Sequence, residues 1–136
     1  LENRSQIKLE YCTITNRSDG ILEQRFARET TYEVTKEDLI GFKKAFREVS
    51  KGQKMPLLTI SGLYGSITKE AREVDINESE DYTLALGLVI TELGQRLLAN
   101  FYFKIKKVNY PVKCFKNEED TIEWLHEQAR LAKQTG

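Results

Sequence analysis

Three stretches of this 136-residue chain place chemically capable side chains at meaningful spacing. The first is "SGLYGSITKEAREV" at 61–74, where two glycines, two serines and a threonine precede a charged, helix-favouring run. A strand that ends in small residues and opens a helix presents free backbone N–H groups, the generic geometry for holding an anion. A Walker loop needs more, G-x-x-x-x-G-K-[ST], so that a lysine reaches the phosphates. Gly62 and Gly65 are too close together for it, and Lys69 follows no glycine directly. The stretch therefore reads first as a strand-to-helix turn. Ser61, Ser66 and Thr68 are its candidate contact or phosphoacceptor residues, with Thr68 also a candidate helix cap. A phosphate at Ser66 or Thr68 would add about −1.5 to −2 charges, favoured by the helix dipole and opposed by Glu70 and Glu73.

The second stretch is "EWLH" at 123–126, which sets Glu123 and His126 three residues apart on a helix. Di-iron carboxylate bundles use that spacing, but on two helices, and His126 is the chain's single histidine. It reads instead as a partly exposed residue of an amphipathic helix. No serine or cysteine carries the signature of a nucleophile beside a histidine. The acids of "EED" and "NESED" suit a solvated helix start and a loop. The expectation is a protein without catalysis, cofactor or metal.

The third stretch is "NFYFKIKK" at 100–107, followed by Tyr110. Phe101 falls on a stripe with Leu93, Leu97 and Ile105 that should face the core. Tyr102 and Phe103 cannot both share it. Tyr102, Phe103, Lys104, Lys107 and Tyr110 are therefore a candidate apolar contact surface. Lysine stems lying over half-covered rings explain the same composition without function. A small apolar ligand, a membrane surface or a second copy of the chain explains it with one.

These stretches need a scaffold, and hydrophobic periodicity supplies it. "QIKLEYCTIT" (6–15) alternates as a strand, and Asp19–Gly20 is a strong hairpin signal before the return strand "ILEQRFARE" (21–29). Gln24 interrupts the apolar face that Leu22 and Phe26 define. Thr35 with Asp38 forms a capping box for a helix over 35–52, with Gly52 as its stop. "MPLLTISGL" (55–63) and "YTLALGLVI" (82–90) are continuous apolar runs that suit strands buried on both faces. A helix over 91–105, a strand over 110–115 and a helix over 117–134, capped by Asn117, complete the order β-β-α-β-α-β-α-β-α. That alternation predicts an α/β fold with a mixed, mostly parallel sheet.

Bulk properties narrow the partners. Lys plus Arg and Asp plus Glu number 21 each, so the basic footprint of a nucleic-acid binder is missing. Residues 1–136 suit one domain. Cys12 and Cys114 read as buried thiols of a cytoplasmic protein. The longest apolar run, 84–90, is too short to cross a bilayer.

The element order, together with "PLLTISGLYGSITKEARE" (56–73), "NFYFKIKKVNYPVKCF" (100–115) and "NEEDTIEWL" (117–125), resembles small bacterial proteins with a STAS/SEC14-like domain. These are related in fold to the anti-sigma factor antagonists. The resemblance implies a small α/β domain that binds a protein or an apolar ligand and does no chemistry. In the antagonists, a Ser or Thr phosphorylated by the partner kinase lies at the turn between the third strand and second helix. By topology that turn is 61–68 here, without the antagonists' usual Asp-Ser pair. The expectation is a regulatory protein-interaction module with 61–74 as its contact surface, its partner a protein or itself as a homodimer. The alternative is SEC14-like binding of a lipid or other apolar ligand at 101–110.

Overall fold

The computed structural model describes residues 5–74, 83–106 and 108–135, with the side chains of Phe101, Ile105 and Thr135 outside that description. The opening run 6–15 forms two strands rather than one, β1 (Gln6–Lys8) and β2 (Cys12–Asn16). Between them the Leu9 N–H reaches back to the Cys12 carbonyl at 2.8 Å, and Ile7 pairs with Ile14. The turn lets Tyr11 leave the strand and lay its ring against Tyr32, centroids 5.8 Å apart. The Asp19–Gly20 hairpin forms as expected, joining β2 to antiparallel β3 (Leu22–Phe26), with Gly20 at φ +86°.

β4 (Tyr32–Val34) leads into α1 (Lys36–Ser50), whose capping box is complete. The Thr35 N–H donates to Asp38 at 2.9 Å, and the Asp38 N–H donates to Thr35 Oγ1 at 3.1 Å. All six residues of β5 (Met55–Ile60) are buried, as a central parallel strand requires. Then come β6 (Gly65–Ile67), the one-turn helix α2 (Lys69–Arg72) and β7 (Thr83–Val89). α3 (Leu93–Lys106), β8 (Val112–Phe115) and α4 (Glu118–Thr135) follow. Asn117 caps α4 by accepting the Asp120 N–H at 2.8 Å.

The main sheet has the order β1-β2-β3-β5-β7-β8, and three of its five pairings are parallel. Every parallel crossover steps across the sheet in the same direction. Right-handed connections then place the intervening helices on one face. There Ala45 and Val49 of α1 and Phe103 of α3 pack on Ile14, Leu22, Leu57 and Leu86. Gln24 shares this core, accepting a hydrogen bond from Thr59 at 3.2 Å and donating to the Cys12 thiol. An interrupting amide thus becomes a satisfied buried group. α4 follows the edge strand and folds under the opposite face, where Leu125 meets Leu58, Ala85 and Val89. It packs on β5, β7 and β8, and the same face of β1–β3 carries Lys8, Thr13, Glu23 and Arg25, which suit contact with water.

Two features depart from the periodicity. β4 and β6 pair in parallel as a separate two-stranded sheet, so the 61–68 turn contains a short strand. Leu93 and Leu97, expected inside, are exposed. α3 sits over the sheet's β8 edge, and its inward side is the one bearing Tyr102 and Phe103. The "NESED" segment (77–81) lies outside the described residues.

Candidate functional site

The glycines of 61–65 accommodate a side chain of this protein. The Tyr32 ring, 6% exposed, lies against both. Its hydroxyl accepts the Gly62 N–H at 3.1 Å, so an N–H that could have faced an anion is already engaged. A Cβ at Gly62 would stand 2.1 Å from the Ala27 carbonyl oxygen, and one at Gly65 2.2 Å from Tyr32 Cζ. Tyr32 also stacks on Phe26 at 4.9 Å, and Phe26 meets Phe42 edge-on. Burial pushes the Tyr32 phenol above its ordinary pKa.

The loop is thereby fixed at several points. The Ser61 N–H donates to the Val89 carbonyl at 3.1 Å, Leu63 N–H to Arg28 at 2.7 Å and Thr68 N–H to Val34 at 3.0 Å. Thr68 is the cap of α2, its Oγ1 accepting from the Ala71 N–H at 3.1 Å. Ser66 is exposed, and its hydroxyl makes a long 3.4 Å contact to the Tyr32 carbonyl. Tyr64, between the two glycines, is 56% exposed, with Ile67 exposed further along the loop.

Ser61 and Leu63 form one wall of an open cleft of about 720 Å³ at the carboxyl ends of β3, β5 and β7. Open parallel sheets generally bind their ligands at this end. Tyr11, Arg28 and Lys116 contribute to the other sides. Arg25 and Glu118 join β3 to α4 across the cleft through paired hydrogen bonds of 3.0 and 2.8 Å. Arg25 holds the Glu118 carboxyl below the usual carboxylate range. Cys12, also lining the cleft, has its thiol pushed up by burial.

The 101–110 residues divide differently. Tyr102 donates its hydroxyl to the Arg72 carbonyl at 3.1 Å, tying α3 to α2, and meets Phe103 edge-on at 5.1 Å. Phe103 and Tyr110 pack against the core, whereas Lys104 is exposed. Lys107 lies outside the described residues. A hollow of about 320 Å³ borders Phe103, Lys104 and Tyr110. The loop candidates and the aromatic candidates form separate places, and only Ser61 of the former reaches the large cleft. His126 stands elsewhere, its Nε2 3.2 Å from the Asp19 carbonyl oxygen. Among the described residues no three His, Cys, Asp or Glu gather to hold a metal, and no helix is long and apolar enough to cross a membrane.

Sequence reasoning missed Tyr32 and Tyr64. Tyr64 carried a local signal, an aromatic flanked by two turn glycines. Tyr32 carried none, because its partners lie some thirty residues away.

The architecture is that of the SpoIIAA-like α/β proteins, of STAS type. More specifically, the chain belongs to the family described as Domain of unknown function (DUF7793), whose model matches residues 15–129. Among solved structures, an uncharacterized protein of the DUF3478 family from Shewanella loihica PV-4, with a SpoIIAA-like fold, matches with a TM-score of 0.59. The alignment covers 88% of this chain and 98% of that one at 14% identity, a likeness of fold. No curated protein matches the sequence.

Proposed function

We propose that this protein is a non-enzymatic module that binds another protein through the 61–68 loop and the adjoining cleft. The observation that carries the reading is Tyr64, exposed on a loop whose backbone is pinned by Tyr32 and by hydrogen bonds to β4, β7 and the segment that follows β3. An exposed tyrosine on a rigid loop supplies contact area at little entropic cost, and tyrosine is enriched among residues that dominate binding energy. Ser66 beside it is the position where an added phosphate would alter the surface without removing a cap. Binding rather than chemistry also agrees with the two free thiols, both raised in pKa by burial. The test is a photo-crosslinking residue introduced at position 64, followed by titration of the captured partner. Tyr64→Ala should weaken binding about tenfold or more, and Ser66→Glu should weaken it too, with the melting temperature unchanged. A partner indifferent to both substitutions overturns the reading.

The alternative, SEC14-like binding of a lipid or other small apolar ligand, is favoured by the hollow beside Phe103 and Tyr110. Its size lies at the lower end for ligand pockets, which start at roughly 300 Å³. Native mass spectrometry of gently purified protein tests it. A lipid-sized adduct lost on Phe103→Ala supports it, and a bare mass removes it.

A further inference from the structure

α1 turns a row of cations outward. At about 100° per residue, Lys36, Lys43, Lys44 and Arg47 all fall within about 60° of Ile40. Phe42, Ala45 and Val49, which pack on the sheet, fall about 140–180° from it. Ile40 is 55% exposed, Lys36, Lys44 and Arg47 are exposed beside it, and Lys43 is half-buried. Lys51 and Lys54 are exposed in the connection to β5. Asp38 is taken up by the capping box, and the exposed acids Glu37 and Glu48 lie to one side, about 60° and 80° from Ile40. None of these lysines forms an ion pair among the described residues. Lys plus Arg and Asp plus Glu balance over the whole chain, 21 each, so the row is a local concentration of charge.

We propose that this face of α1 docks on an anionic lipid surface, with its cations against the headgroups and Ile40 at the acyl boundary. Lysine dominates the row, and lysine is depleted where proteins meet proteins, whereas arginine is favoured there. A nucleic-acid footprint belongs to a domain that is basic as a whole, and this one is neutral. An anionic bilayer asks only for clustered positive charge, which lysine supplies as a point charge without fixed geometry. An exposed apolar side chain in the middle of such a face is suited to the headgroup boundary. The side of α1 that bears Ala45 and Val49 stays on the sheet, so docking requires no unfolding. From Lys36 to Arg47 the row is about 17 Å long, so the contact is peripheral, reversible and weakened by salt. It uses no residue of the 61–68 loop and stands without the reading given for that loop.

Co-sedimentation of the full chain with phosphatidylcholine vesicles, with and without phosphatidylglycerol, tests the proposal. At low ionic strength the wild type should bind the anionic vesicles, ignore the neutral ones, and be released by salt. Lys36→Gln and Lys44→Gln should each weaken binding roughly fivefold, with unchanged melting curves because both side chains are exposed. Lys133→Gln, an exposed lysine of α4, should leave binding as it was. A wild type that ignores anionic vesicles at low salt overturns the proposal. So does vesicle binding that tolerates the Lys36→Gln, Lys44→Gln double variant, or that Lys133→Gln weakens as much. A wild type that ignores the vesicles but binds a duplex oligonucleotide, and loses it in the double variant, overturns the lipid and gives the row to nucleic acid.

Discussion

Gly65 lies so close to the hydroxyl-bearing end of the Tyr32 ring that a Cβ there would stand 2.2 Å from Cζ, while Gly62 three residues earlier donates its N–H to the same tyrosine's hydroxyl. Gly65→Ala should therefore destabilise the fold by about 1–3 kcal/mol through overpacking. Tyr32→Phe leaves the Gly62 N–H without its partner, at a cost of about 1–3 kcal/mol. Chemical denaturation reads both. Gly65→Ala should cost less in a Tyr32→Leu background, because the atom it strikes is gone; additive costs would show that the close approach is not the cause.

A second close approach seats α4. A Cβ at Gly87 of β7 would meet Thr121 Cγ2 at 2.4 Å, and Thr121 and Leu125 are fully buried there. Gly87→Ala is expected to destabilise by about 1–3 kcal/mol. Thr121→Ser removes the obstructing methyl and keeps the 2.7 Å hydrogen bond to the Asn117 carbonyl. The double variant should recover most of the loss in thermal unfolding.

Acid stability follows from Arg25 and Glu118. The folded-state pKa of Glu118 is lowered, first by the hydrogen bond from Arg25. Its contribution is therefore present above the ordinary carboxylate pKa and is lost as pH falls through the lowered folded value. Both side chains are over 40% exposed, so the pair is worth at most about 1 kcal/mol. Arg25→Met should flatten the stability curve in that acid window and leave its slope at neutral pH unchanged.

Alkaline behaviour has the opposite sign. Burial raises the Cys12 and Cys114 thiols, so the unfolded chain releases these protons first. Stability should fall as pH rises above the ordinary thiol value, and replacing both cysteines with alanine should reduce that slope. At neutral pH the buried Cys12 thiol should react slowly with a disulfide reagent in the folded protein and rapidly in denaturant, while the half-buried Cys114 should be the faster of the two in the native state. Fast native reaction at Cys12 would contradict its burial.

The elements whose signals are local were legible. Thr35 and Asp38 announce α1, Asp19–Gly20 the hairpin, Asn117 the start of α4, and the apolar runs the central strands, because caps, turns and periodicity act over a few residues. That alternation carried the fold class as well. Thr68 as a cap was readable for the same reason.

What the tertiary structure alone decided was which side of an element faces what. The Leu93 and Leu97 stripe has helical period, but period says only that two sides differ. The side that turns inward depends on where α3 meets the sheet, and at the β8 edge that is the side of Phe103. The glycines of 61–65 read as a strand-to-helix turn, but what lies beside them was open, because a sequence does not show what fills the space. Tyr32 fills it, from a strand whose pairing with β6 is non-local. Chain-local forces wrote the elements into the sequence; the occupants of surfaces and hollows depend on contacts between residues far apart along it, and these exist only once the sheet has assembled.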